Sequence, residues 1–176
     1  MLRDVIKQLI VLNQDHIPFA LKEREERLPL HSGKIITIPG VRRCGKSSRM
    51  KIAINELVNS GVSPKNILWM GFDDERLAEM NVQNLNEVLE AYRELYPNIP
   101  LEDVYMFFDE IQNIDGWELF VMRVFKNYCP NIFISGSNAK MLSQEIATTL
   151  RGWALEYKTY PLSFAEYCHF LDIPTE

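Results

Sequence analysis

The chain has 176 residues, enough for one domain with a sizeable core. With 47% hydrophobic and 24% charged residues it has the composition of a globular protein, and its formal charge of −5 argues against a surface built mainly to hold nucleic acid, although a local basic patch stays open. Cys44, Cys129 and Cys168 are widely spaced without a CxxC and fit reduced thiols in a cytoplasm; the start MLRDVIKQLIVLNQD does not read as a leader, and no apolar run approaches the ~18 residues of a membrane span.

Leu2, Val5, Ile6, Leu9 and Ile10 recur at helical spacing and predict an amphipathic helix over residues 2–13. The charged run Lys22 to Arg27 reads as a solvated connector. The organisation expected from this is an N-terminal helical segment over 1–32 and a core domain over 33–176. KIITIPG, from Lys34 to Gly40, predicts a buried strand, and KSSRMKIAINELVNSG predicts the helix after it. SPKNILWMGF reads as a turn and a second strand, after which Asp73, Asp74 and Glu75 should open a further helix or cap it. LNEVLEAYREL predicts a helix stopped before Pro97, and DVYMFFDE a third, strongly apolar strand. Asp115 and Glu118 have the D-x-x-E spacing of a capping box ahead of Trp117, Phe120, Val121, Val124 and Phe125. NIFISGS is a fourth strand, AKMLSQEIATTL a helix, ALEYKTYPL a fifth strand, and SFAEYCHFL the start of another helix. Short strands alternating with helices predict an α/β fold, a parallel sheet of about five strands with helices on both faces. In such folds ligands sit beyond the carboxyl ends of the strands.

The residues that follow those ends carry chemistry. Gly40-Val41-Arg42-Arg43-Cys44-Gly45-Lys46-Ser47 fits G-x-x-x-x-G-K-[ST] between a strand and a helix, and Ser48 continues it. The glycines let backbone N–H groups turn towards phosphate oxygens, and the helix N-terminus adds a positive dipole end. Lys46 is placed for the β- and γ-phosphates of a nucleotide, and the Ser47 hydroxyl for Mg2+. Cys44 reads as filler or, at a helix start, as a reactive thiol. Arg42 and Arg43 face solvent or acids, or meet nucleotide or a neighbouring subunit. The apolar run Val104 to Phe108 ends in Asp109 and Glu110, the first placed for the Mg2+ shell and the second to deprotonate a water attacking the γ-phosphate. Ser137 and Asn138, at the end of the fourth strand, would come near the γ-phosphate, with helix capping as the other role for Asn138. Asp73 and Asp74 cap a helix or lie near nucleotide. His16, His31 and His169 lack metal-ligand spacing, and Trp69, Trp117 and Trp153 read as core or sheet packing.

Taken together, GVRRCGKSS, NILWMGFDDERL, YMFFDEIQNIDGWELFVMRVF, IFISGSNAKMLS and LRGWALEYKTYPLSFAEYC resemble the prokaryotic ATPases described as predicted AAA+ superfamily ATPases, over most of residues 33–170. The resemblance implies a P-loop NTPase of the ASCE type, in which another strand separates the phosphate-loop strand from the acidic strand. It implies Walker A residues at Gly40, Gly45, Lys46 and Ser47, Walker B residues at Asp109 and Glu110, and a sensor-1 position at Ser137 or Asn138. Family members often carry arginine after the glycine of Arg151-Gly152-Trp153; here that place is Trp153, which leaves Arg151 as the candidate for a transition-state arginine, in cis or in trans, or as a solvent-facing residue. Members are usually longer, so a C-terminal lid and a further domain are expected beyond this chain. The expected activity is Mg2+-dependent ATP hydrolysis that drives a conformational change. The alternatives are a nucleotide-gated switch with little turnover and, more remotely, a kinase. Expected partners are a second copy of the chain, or a protein or DNA engaged through the missing part, with no membrane.

Overall fold

A computed structural model of the chain describes residues 1–21, 27–41, 44–137, 144–159 and 171–174. Helices α1 (Leu2–Asp15), α2 (Lys46–Asn59), α3 (Asn86–Leu95), α4 (Trp117–Asn127) and α5 (Gln144–Leu150) surround strands β1 (Ile35–Gly40), β2 (Ile67–Gly71), β3 (Tyr105–Asp109), β4 (Ile132–Ser137) and β5 (Ala154–Glu156). The strands form one sheet in the order β2-β3-β4-β1-β5, and every pairing is parallel. The strand β4 therefore separates β1 from β3, the arrangement expected of an ASCE core.

Because successive side chains of a strand point to opposite faces, the apolar strands supply two cores. One face carries Leu68, Met70, Met106, Phe108, Ile132 and Ile134, and buries them under α1, α3 and α4. The other face carries Ile36, Ile38, Ile67, Trp69, Phe107 and Phe133 under Met50, Ile54 and Leu57 of α2. On that second face the register aligns Trp69, Phe107 and Phe133 across three strands. Phe107 stacks on Phe133 at 4.6 Å and Trp69 on Phe107 at 6.3 Å. Helix α1 belongs to the first core through Ile6, Leu9 and Ile10, and its Arg3 pairs with Glu87 and Glu94 of α3.

Three local expectations are corrected. Asp115 does not cap α4: its N-cap is Gly116, with no side-chain cap bond, so the D-x-x-E pair is one residue out of register and Glu118 lies in the first turn, near the positive dipole end. Asp73, Asp74 and Glu75 do not open an α-helix. Asp74 caps only a 3-10 turn, Glu75–Leu77, by accepting from the Arg76 N–H, and it also holds the Arg76 guanidinium. Leu77 and Met80 are buried three residues apart, a spacing that suits 3-10 geometry. Trp153 is no core residue: it is 43% exposed and packs edge-on against Phe125 beneath Lys126. Trp69 and Trp117 are buried as expected. The run 22–26 and the expected helix of SFAEYCHFL, with Cys168 and His169, lie outside the described residues, as do 138–143 of the helix that continues as α5.

Candidate functional site

The site forms where β1, β3 and β4 end side by side. Gly40 pairs in register with Ser137, and Gly71 of β2 with Asp109. The loop after β1 closes on Gly45, whose φ of 94° is left-handed and favours glycine, and α2 begins at Lys46. Gly40 is required for a different reason. A methyl group there would lie 2.7 Å from Cys44 Sγ and 3.0 Å from the Thr159 carbonyl oxygen. Gly40→Ala is therefore expected to cost about 1–3 kcal/mol, read by thermal melting, and to weaken nucleotide binding. Cys44 is buried against that glycine, which fits a packing role. Arg49 of α2 donates to the carbonyls of Tyr157 and Lys158 and to Thr159 Oγ1, and so ties the loop helix to the segment after β5.

Lys46 is 4% exposed, and its ammonium donates to the Gly40 carbonyl at 2.8 Å and lies 3.2 Å from Glu110 Oε1. The Ser47 hydroxyl donates to Asp109 Oδ2 at 2.7 Å. Ser135 was not among the residues singled out in the sequence, yet it is central: its hydroxyl donates to Asp109 Oδ1 at 2.5 Å and accepts from the Glu110 N–H at 3.0 Å. Glu110 itself has φ 53°, an uncommon left-handed backbone for a side-chain-bearing residue that costs about 1–3 kcal/mol and that its surroundings must hold. Ser135→Ala would leave a buried carboxylate oxygen and an N–H short of a partner. It should lower stability by about 1–3 kcal/mol in a denaturant titration.

Burial pushes the Asp109 carboxyl up from the ordinary range; the hydroxyls of Ser135 and Ser47 pull it back, and the charges of Glu110 and Asp73 push it further up. A divalent cation would relieve this desolvated charge. One hydroxyl and one carboxylate oxygen converging at 2.7 Å is a hard-oxygen donor pair that fits Mg2+, which keeps waters and takes phosphate oxygens for the rest of its shell. A cleft of about 360 Å³ runs from Ser47 and Asp109 past Asp73, Asp74 and Arg76 to Leu9 and Leu12 of α1. Thus Asp74 is a cap and Asp73 shares the cleft with the Asp109 carboxylate.

The structure brings together Gly40, Cys44, Gly45, Lys46, Ser47, Asp109, Glu110 and, beside Gly40, Ser137. Val41 is 52% exposed on the loop, and Ser48 lies in the first turn of α2. Arg42, Arg43 and Asn138 lie outside the described residues. Arg151 is placed elsewhere. It precedes β5 at the end where Ala154 pairs with Ile35, the first residue of β1, so the length of β1 separates it from the loop after Gly40. That sets it apart from its own chain's site and leaves the other two alternatives, action on another molecule or a solvent-facing residue, and Arg151 is exposed.

A parallel sheet in this order, with a glycine loop and lysine after β1 and paired acids after β3, defines a P-loop domain of the AAA class. The family model described as an AAA domain matches residues 32–168, and the chain belongs to that family. It is 38% identical over 147 residues to an uncharacterised protein of Methanocaldococcus jannaschii, covering 84% of this chain and 31% of that one. It is 35% identical over 142 residues to an uncharacterised protein of Haemophilus influenzae, covering 81% and 35%. The chain thus spans about a third of the length of these relatives. Among solved structures, AMPPCP-bound DnaA from Aquifex aeolicus is similar over 94% of this chain and 48% of its own, at 13% identity and a TM-score of 0.49. PCH-2 of C. elegans is similar over 94% and 43%, at 14% identity and a TM-score of 0.48. Among the described residues no helix is long and apolar enough to cross a membrane.

Proposed function

We propose that this domain binds ATP with Mg2+ and hydrolyses it. The observation that carries the reading is the meeting of Lys46, Ser47, Asp109 and Glu110 at the ends of β1 and β3, joined by direct contacts of 2.7 and 3.2 Å. Lys46 and the loop N–H groups would bind the phosphates, and Ser47 and Asp109 would hold Mg2+, which would supply neutralisation of phosphate charge. Glu110 accepts a proton from a water as that water attacks the γ-phosphorus. The bond from that phosphorus to the β-phosphate oxygen breaks, giving ADP and inorganic phosphate. Ser137, beside Gly40, and Asn138 after it sense the γ-phosphate. The choice of adenine rests on the family resemblance, and a cytoplasmic location on the odd number and wide spacing of the cysteines, without a CxxC.

Relatives about three times as long support a further step, in which hydrolysis moves a C-terminal part or a partner, protein or DNA. Arg49 and the backbone of Tyr157 to Thr159 give the loop helix a direct mechanical link towards that end of the chain. A second reading, a nucleotide-gated switch with little turnover, is favoured by the Lys46–Glu110 ion pair, which engages the base, and by the distance of Arg151 from the site. Phosphate release from Mg-ATP, measured over a range of protein concentrations, separates the two. A rate per molecule that rises with concentration supports hydrolysis completed by an arginine from a second copy. Nucleotide binding with negligible release at every concentration supports the switch. No binding of Mg-ATP overturns both.

A further inference from the structure

We propose that Gln112 is a positioning residue that fixes the carboxylate of Glu110 for attack on the nucleotide, an inference that rests on the hydrolytic reading above. Gln112 lies in the 3-10 turn Ile111–Asn113 that follows β3, and only 8% of it is exposed. Its Nε2 donates to Glu110 Oε2 at 2.6 Å. An amide can present only its N–H to a carboxylate, so that contact fixes the orientation of the group. The turn is itself anchored, by fully buried Ile111 and by Asn113 Nδ2 donating to the Phe72 carbonyl at 3.1 Å.

Glu110 is therefore held at three points. Ser135 takes its backbone N–H, Lys46 approaches one carboxylate oxygen, and Gln112 donates to the other. These points respond differently to a polyphosphate. The ammonium of Lys46 is the group a phosphate chain competes for, and its contact with Glu110 weakens when it turns to a more highly charged partner. Gln112 is neutral, stands on the far oxygen and gains nothing from phosphate. Its bond persists, and it becomes the side-chain contact that keeps Glu110 in place.

Burial makes a packing role a poor account of this residue. The Gln112 Oε1 is buried and takes no hydrogen bond from the described residues. An acceptor left in that state lowers stability, so methionine would serve packing better. What glutamine adds over methionine is the N–H aimed at Glu110. Its Oε1 also remains able to accept from a water brought beside that carboxylate.

The test compares Gln112→Met, which keeps length and apolar packing, and Gln112→Glu, which keeps shape but replaces the donor with an acceptor. Melting temperature, Mg-ATP affinity, kcat, KM and affinity for ADP with aluminium fluoride are measured on the whole chain. Gln112→Met should melt no lower than the original chain and bind Mg-ATP within about threefold. It should lose about 10–100-fold in kcat at unchanged KM, with a parallel loss of affinity for the aluminium fluoride complex, because a misplaced base forfeits transition-state geometry. Gln112→Glu should lose at least as much. Turnover in Gln112→Met within twofold of the original overturns the proposal alone, as does a kcat loss matched by lower melting or weaker Mg-ATP binding. An original chain that binds Mg-ATP and never turns it over overturns the hydrolytic reading, and this proposal with it.

Discussion

Glu110→Gln is expected to lower ATP turnover by about 10²–10⁴-fold while leaving Mg-ATP affinity equal or tighter. The amide keeps the size of the side chain, and the Glu110 N–H keeps its bond to Ser135. What it loses is the ability to accept a proton. It also loses the negative charge 3.2 Å from the Lys46 ammonium. Lys46 is then freer to turn to phosphate, so binding has no reason to weaken. Lys46→Ala should do the opposite. The loop loses its buried cation, Glu110 loses its counter-charge, and affinity should fall by about 2–5 kcal/mol. Titration with a fluorescent ATP analogue and a phosphate-release assay on both variants check this. Equal loss of binding in the two would sink the division of roles between them.

Much of this site was legible because its chemistry sits where strands end. The glycine-lysine loop after Ile35–Gly40 and the acids after Tyr105–Phe108 are contiguous in sequence, and each follows a short apolar run whose length and flanking turn residues read as a buried strand. Ser135 was not legible. Within Ile132–Ser137 it reads as a small residue filling a packed strand, and only the adjacency of β3 and β4 brings its hydroxyl to Asp109. Arg151 was misleading for a related reason. Arg151 precedes β5 in sequence, so once β5 pairs parallel with β1 it stands at the end opposite the loop, and the motif likeness alone ignored that. The capping pair Asp115 and Glu118 failed locally, since Gly116 ended the loop one residue later than the pattern demanded. The wall that α1 lends to the cleft depends on Leu9 and Leu12 meeting residues from β2 and α2, a long-range contact that periodicity does not encode.

Asp109→Asn should reverse its rank in stability against the original chain when nucleotide is added. Asp109 is 7% exposed, and burial, the largest influence on it, raises its carboxyl above the usual range despite the two serine hydroxyls. A carboxyl raised in the folded chain favours folding most below its unfolded pKa of about 4, and that contribution is lost as pH rises towards the folded value. At neutral pH the original chain thus carries the cost of a desolvated charge. Asparagine does not titrate, and serine hydroxyls can accept from its N–H as readily as they donate to an oxygen. Without ligand, Asp109→Asn should melt higher at pH 7, and the gap should close as pH falls below about 4. With Mg-ATP at about 100 times its Kd, the original chain gains about 2.7 kcal/mol from binding. The variant, with one metal oxygen replaced, should gain far less and melt lower. Melting curves with and without Mg-ATP at pH 7 decide the matter. A variant stabilised by Mg-ATP as much as the original would show that Asp109 does not hold the metal, and one that melts lower without ligand would show that its buried charge favours the fold.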